Sequence, residues 1–244
     1  MTERLDTELT ARGLCSSRNR AQTLIQDGHV TVNGVVCLKA SRKVAPEDTI
    51  QVTEALPFVG RGGYKLRFAL AEFQISPAGM QCLDIGASTG GFTDCMLQHG
   101  AAHVLAVDVG HDQLAPELRS DPRVTVMEGT DLRQLAADTA GLPADFVTCD
   151  VSFISLKQII PCLPALMTGS GCAVLLVKPQ FEAGRAALNK HGIVRDEKIR
   201  QQVLREISDC CAQHGLLPLG SCESPIKGGS GNTEYLLYVK RVSQ

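Results

Sequence analysis

From Arg4 to Val52, apolar and polar positions fall in short blocks. "RLDTELTARGL" and "SSRNRAQTLIQDGHV" carry apolar residues at helical spacing. In the second, Ala21, Leu24 and Ile25 form the stripe, Ser16 or Ser17 can cap the start, and Gly28 ends it. "HVTV" and "VVCLK" flank Asn33-Gly34, which predicts a tight hairpin, and "TIQV" reads as a further strand. Beyond Pro57 the pattern changes. "MQCLDIG", "HVLAVDV", "RVTVMEG", "ADFVTCD" and "GCAVLLVK" are apolar nearly throughout. They alternate with helix-length segments such as "GGFTDCMLQHG", "ISLKQIIPCL" and "DEKIRQQVLREISDCCAQHG". Such alternation predicts a parallel sheet covered on both faces. "LLPLGSCESP" and "NTEYLLYVKR", either side of "IKGGSGN", suit a closing antiparallel pair. The expected architecture is α/β: a doubly wound, mostly parallel seven-stranded sheet preceded by a small α+β module. The module is placed at residues 1–55, a linker at 56–63 and the larger domain at 64–244. Ligands of such sheets bind at the carboxyl ends of the strands.

Composition narrows the class. A chain of 244 residues, 44% hydrophobic and 20% charged, has the makeup of a soluble globular protein. "MTERLDTELT" has no apolar core followed by a cleavage site, so no secretory signal is expected. The longest apolar runs, "IIPCLPALM" and "CAVLLV", are far shorter than the ~20 residues of a membrane helix. A cytoplasmic protein without a membrane partner is the expectation. Ten scattered cysteines with no CxxC pair suggest reduced, mostly buried thiols, and no metal is called for. Residues 1–67 hold ten Lys/Arg against seven Asp/Glu, a balance of +3. With a net charge of −2 the remainder carries −5. A basic end on an acidic body suggests that a polyanion is met through the amino-terminal part.

Candidate chemistry begins at "LDIGASTGGFTDCML", which reads as strand, glycine loop and helix. Gly86, Gly90 and Gly91 allow a tight turn and close approach to a ligand. A dinucleotide loop would have glycine where Ser88 stands, and Asp84 before the loop would repel a pyrophosphate but suit a cation. Asp108, at the end of the next strand, can accept from both ribose hydroxyls, and Asp131, after the third, can meet an adenine amino group. Three carboxylates so placed fit S-adenosylmethionine, which has a sulfonium, an ammonium and a ribose but no phosphate. "LDIGASTGGFT" with Asp108 resembles the motif of the class I (Rossmann-like) methyltransferases. That resemblance assigns Asp84, Gly86, Ser88, Gly90, Gly91, Phe92, Asp108, Asp131 and Asp150 to the cofactor.

The substrate must be read from residues around the transferred methyl. "DVSF", Asp150 to Phe153, lacks the prolines of the tetrapeptide that base amino-methylases carry. Cys149 and Cys172 lack the proline-cysteine context of pyrimidine carbon methylases. What remains is Lys65, Asp150, Lys178 and Glu234, four charged residues from distant segments. A lysine directly after "AVLLV" would be costly to bury without charge partners or a function. This Lys, Asp, Lys, Glu order resembles the tetrad of ribose 2′-O-methyltransferases of the FtsJ type. In that chemistry a partly buried lysine can be tuned to accept the hydroxyl proton, and Lys178 is the candidate base. Lys65 would hold the substrate, Asp150 would position Lys178 and the methyl donor, and Glu234 would keep the lysines in register.

The first block resembles the RNA-binding module named after small-subunit ribosomal protein four, on "RLD", "SRNRAQTLI", "GHVTVNG" and "VAPEDTIQV". The resemblance places Arg4, Arg18, Arg20, Lys39, Arg42 and Lys43 on an RNA face, where guanidinium forks meet phosphates. With "RGGYKL", "CDVSFISL", "VKPQFEAGR" and "KGGSGNTEY", the whole chain resembles the TlyA family of two-domain rRNA methyltransferases, also called hemolysins. The implied substrate is the 2′-hydroxyl of cytidine in rRNA of 30S and/or 50S subunits. "VKPQFEAGRAALNKHGIVRD" would be a substrate-side loop, with Phe181 stacking on a base and Arg185 facing phosphate. The rival reading is an RNA-binding or membrane-active protein without catalysis.

Overall fold

The computed structural model describes residues 2–15, 17–26, 28–53, 57–137 and 143–242. The chain divides into two compact units, Met1–Arg61 and Gly62–Gln244. In the first, the elements run β1 (Glu3–Arg4), α1 (Leu5–Ala11), α2 (Arg18–Gln26), β2 (Val30–Val32), β3 (Val35–Val36), β4 (Lys43–Val44) and β5 (Ile50–Val52). β2 and β3 form the hairpin expected around Asn33 and Gly34. Both residues have positive φ, 53° and 77°, as a two-residue turn matching strand twist requires. Ser17 caps α2 by accepting from the Arg20 amide; Ser16 lies outside the described residues.

α1 and α2 close over Leu5, Leu9, Ala21, Leu24 and Ile25, all buried, and Asp6 is buried with them. Its carboxylate accepts from Arg4 Nε and Nη2, both at 2.9 Å, from Arg18 Nε at 3.0 Å and from Gln22 Nε2 at 2.8 Å. The Arg4 fork, then Gln22 and Arg18, outweigh the burial and hold the Asp6 carboxyl well below the usual range. One acid thus ties β1, α1 and α2 together.

The second unit opens on α3 (Gly62–Glu72), which starts two residues before Tyr64. It continues with β6 (Gln81–Ile85), α4 (Gly91–Gln98), β7 (His103–Val107), α5 (Pro116–Arg119), β8 (Val124–Met127), α6 (Leu132–Ala137) and β9 (Ala144–Cys149). Then follow α7 (Leu163–Leu166), β10 (Met167–Val177), α8 (Pro179–Glu182), α9 (Glu197–Gln213), β11 (Leu216–Glu223) and β12 (Tyr235–Arg241). The seven strands lie in the order β11-β12-β10-β9-β6-β7-β8. β10 through β8 are parallel, and β12 is antiparallel to both its neighbours. The doubly wound, mostly parallel sheet is the one the apolar runs predict.

One expected helix differs. "ISLKQIIPCL" forms two 3₁₀ turns, Leu156–Gln158 and Ile160–Cys162, before the four residues of α7. Pro161 and Pro164 have no N–H to continue an α-helical ladder, so the segment advances in single turns. Its apolar residues Leu156, Ile159, Ile160 and Leu163 still fill the core beside Val203, Ile207 and Cys211 of α9. All ten cysteines are free thiols.

Asp6→Ala is expected to cost ~2–4 kcal/mol locally, because two guanidinium groups and an amide lose their acceptor. Hydrogen exchange on the full-length chain would show α1 and α2 amides deprotected in the variant. The Asp6 carboxyl has a depressed folded-state pKa. Its contribution is therefore present above pH ~4 and lost as pH falls below that, so the variant and the parent should converge in acid.

Candidate active site

The carboxyl ends of β6 and β9 approach so closely that position 86 has no room for a side chain. A Cβ on Gly86 would sit 2.5 Å from the carbonyl oxygen of Asp150, and its φ is +79°. Asp150 N–H in turn donates to Ile85 O at 2.8 Å. The loop then passes Ser88 at φ 48° and reaches Gly90, at φ 94° the residue before α4. Beneath it, Asp84 is fully buried and accepts from Thr93 Oγ1 at 2.7 Å and Thr148 Oγ1 at 2.8 Å. Burial raises its carboxyl to about 6, against the pull of both hydroxyls and with a smaller push from Asp150.

A cavity of about 410 Å³ opens at these strand ends. Gly86, Ser88, Asp108, Asp131 and Asp150 line it, together with the apolar Ile85, Val107, Ile154 and Ile159. Asp108 has one oxygen on the Ser88 amide at 2.8 Å and the other on the Gly110 amide at 2.7 Å, joining the two loops above β6 and β7. Asp131 is gripped by Arg133, whose hydrogen bonds hold its carboxyl down at about 2. Glu128 was not anticipated from sequence. It accepts the consecutive amides of Asp112, Gln113 and Leu114 and pairs with Arg119 at 2.7 Å, fixing the loop after β7. The hydrogen bond from Arg119 is the largest reason its carboxyl lies at about 2.

Four of the residues expected to hold the cofactor lie elsewhere. Asp84 is behind the loop, spent on Thr93 and Thr148. Gly90 and Gly91 start α4, and Phe92 is buried beneath that helix start, against Gly62. None of them is on the cavity wall. The contacts they make in this structure belong to the turn and its packing.

Lys65, Asp150, Lys178 and Glu234 form two ion pairs. Lys65 Nζ on α3 lies 2.6 Å from Glu234 Oε2, just before β12, and both side chains are buried. Lys178 Nζ, at the end of β10, lies 2.6 Å from Asp150 Oδ1 at the end of β9. Gln180 Nε2 reaches Glu234 Oε1 at 3.3 Å, linking the two pairs through the residue two past Lys178. The Gly-rich turn closes over the acid: a Cβ on Gly228 would lie 2.2 Å from Glu234 Oε1. Charge of both signs is thus buried and locally balanced, which answers the cost of a lysine at a strand end.

Beside the pairs stands Phe153, 91% exposed and with a left-handed φ of 64°. Its ring centre is 5.1 Å from that of Phe181, and Lys178 Nζ lies 5.9 Å from the Phe181 ring. A bulky residue in that conformation is strained, and such strain concentrates at functional sites. Arg185 is exposed in the 3₁₀ turn Arg185–Ala187. Cys149 is fully buried, its thiol pushed up by burial and then by Asp150, so it presents no nucleophile. In the first unit, Lys39 and Lys43 are exposed, and Arg20 and Arg42 are half-buried. Arg4 and Arg18 are committed to Asp6 on one edge. Their side chains remain 37% and 55% exposed, enough to leave donors on the outer edge.

This sheet, its glycine turn and its acidic cavity define a methyltransferase-like fold. The chain belongs to the FtsJ-like methyltransferase family, whose model matches residues 58–241, and a model of the S4 domain matches residues 3–50. YqxC of Bacillus subtilis, assigned as an rRNA methyltransferase, is 47% identical over 97% of this chain and 85% of its own length. The 16S/23S rRNA (cytidine-2′-O)-methyltransferase TlyA of Mycobacterium tuberculosis is 41% identical over 97% of this chain and 89% of its own. A solved structure from Streptococcus thermophilus, labelled a hemolysin, is 42% identical with a TM-score of 0.79, covering 100% of this chain and 90% of the other.

Because Asp84 ionises near pH 6 in the folded chain against ~3.9 unfolded, its charge opposes folding by on the order of 2–3 kcal/mol. The contribution is sign-definite. Stability associated with the protonated acid is complete below pH ~4 and lost as pH rises through about 6. Asp84→Asn should lack this fall, so the difference in melting temperature between variant and parent should change across that window and be flat above it.

Proposed function

We propose that this protein transfers a methyl group to the 2′-hydroxyl of a cytidine in ribosomal RNA. The observation that carries the proposal is the two ion pairs, Lys178–Asp150 and Lys65–Glu234, the first of them joined to the acidic cavity through Asp150, which lines it. The two relatives named above, the second a cytidine-2′-O-methyltransferase, support the substrate. The match to the S4 domain supports contact with RNA through the amino-terminal unit.

The cavity suits S-adenosylmethionine by the chemistry of its wall. Asp108, Asp131 and Asp150 offer acceptors and negative charge, apolar residues flank them, and the cation among the described lining residues, Arg133, is paired with Asp131. Asp150 already has Lys178 2.6 Å from Oδ1, which leaves its second oxygen for a cationic ligand. Asp108 and Asp131 would hold the nucleoside, and Ser88 and Gly86 would let the backbone approach it. When bound, this cofactor supplies a methyl carbon on a sulfonium, which leaves with the electron pair of the carbon–sulfur bond.

Lys178, in its neutral form, takes the proton of the ribose hydroxyl while the oxygen forms its bond to the methyl carbon. Asp150 holds that amine at the cavity wall. Lys65 is held in place by Glu234, and it steadies the substrate's oxygen or phosphate. Phe153 and Phe181 offer an aromatic platform for the target base, with Arg185 on the nearby phosphate. Most of the acceleration comes from holding oxygen, base and methyl in line. Arg4, Arg18, Arg20, Lys39, Arg42 and Lys43 bind the RNA backbone and set its register.

Incubating the protein and tritiated S-adenosylmethionine with separated 30S and 50S particles that lack the modification should give label at a cytidine 2′-oxygen. No label in either particle, with cofactor binding intact, would sink the proposal. Lys178→Ala should reduce turnover by at least ~100-fold with cofactor affinity retained. Gly86→Ala should act in the opposite way. Crowding the Asp150 carbonyl at positive φ, it should weaken S-adenosylmethionine binding by ~10-fold or more in calorimetry.

A further inference from the structure

We infer that Ser152 is a positioning residue for the methyl-transfer step: its hydroxyl aims the amine of Lys178. The inference rests on Lys178 being the base. Lys178 Nζ has two close oxygen neighbours, Asp150 Oδ1 at 2.6 Å and Ser152 Oγ at 2.8 Å. They are not equivalent. The contact to Asp150 is a close charge pair without hydrogen-bond alignment, and Oδ1 is left with no aligned donor. The contact to Ser152 is a hydrogen bond in which the lysine donates, and among the described residues it is the aligned one that Nζ makes. Asp150 supplies charge, which is long-ranged and weakly directional; Ser152 supplies direction.

Direction matters to a base of this kind. A neutral amine has two N–H groups and one lone pair in tetrahedral array, at the end of a side chain with four rotatable bonds. With one N–H held on Ser152, the Asp150 charge draws the second to its side without fixing it, and the lone pair is left the remaining tetrahedral position. Lys178 has the apolar end of β10 behind it, and both oxygens beside its amine belong to residues that line the cavity, so holding the amine on Ser152 holds it on the cavity side. Without the hydroxyl, nothing aligned stops the amine from rotating about its last bond or shifting along the carboxylate.

The backbone shows that Ser152 is deliberately held. It lies between Asp150, whose N–H is tied to Ile85 O at 2.8 Å, and Phe153, whose φ of 64° is strained for a bulky side chain. The turn that carries Ser152 is thus tied by a hydrogen bond before it and passes through a strained residue just after it. Ser152 is solvent-exposed and fills no core, so removing its hydroxyl makes no cavity.

The test is single-turnover methylation of modification-free ribosomal particles, at saturating S-adenosylmethionine and with particle concentration varied, for Ser152→Ala, Ser152→Thr and Lys178→Ala. Ser152→Ala is expected to lower the maximal rate ~10–100-fold, the scale of a misplaced catalytic group, with the particle concentration at half-maximal rate unchanged. Ser152→Thr, which keeps the oxygen, should recover to within ~3-fold of the parent. An unaltered maximal rate in Ser152→Ala, a loss confined to the half-saturating concentration, or no recovery with threonine would overturn the inference. Undiminished rate in Lys178→Ala would instead remove the base on which it rests. A dead Lys178→Ala beside a fully active Ser152→Ala would leave the base standing and remove only Ser152.

Discussion

The arrangement of the site depends on the contact between two strand ends. β6 and β9 converge until the backbone of Gly86 lies against the carbonyl of Asp150, at a distance no Cβ tolerates. Everything chemical follows from that approach. It puts Asp150 at the edge of the glycine turn, within 2.6 Å of the lysine at the end of the adjoining strand β10. It also leaves Asp84 enclosed, where the hydroxyls of Thr93 and Thr148 are its partners. A buried carboxyl with two hydroxyl donors is a costly joint between β6, α4 and β9, and its value is rigidity under a turn that must not move.

Charge is treated differently in the two units. In the amino-terminal unit one buried acid collects two guanidinium groups and an amide, and the charges do structural work while the arginine side chains stay partly exposed. In the larger unit the charges of the Lys65–Glu234 and Lys178–Asp150 pairs are matched one to one, with short contacts and spare valence: Glu234 shares an oxygen with Gln180, and Lys178 divides itself between Asp150 and Ser152. Pairing makes the burial tolerable, and incomplete hydrogen bonding leaves room for a reactant. A pair satisfied on every side would be a strut rather than a site.

The membrane-active reading gains nothing from the fold. Among the described residues no helix is long and apolar enough to cross a membrane. Phe153, 91% exposed and packed on Phe181, is where the proposed function would seat a target base.

The alternation of apolar runs and helices determined the sheet, because a strand buried on both faces must be apolar throughout, and that requirement is local. Lys178 was legible for a related reason, a charge at the end of such a run being expensive and therefore conspicuous, while Lys65, Asp150 and Glu234 were legible with it only through the resemblance of their order to the FtsJ-type tetrad. Tertiary structure decided the partners. Which lysine meets which acid, that Asp84 turns inward to Thr93 and Thr148 rather than to the cavity, and that Ser152 rather than Asp150 gives Lys178 its aligned bond, all depend on contacts between segments distant in the chain. No spacing rule encodes those contacts. Nor could "DVSF" show that its phenylalanine stands in solvent at positive φ, since aromatic residues usually turn to the core and only the closed geometry of the turn after β9 holds this one out.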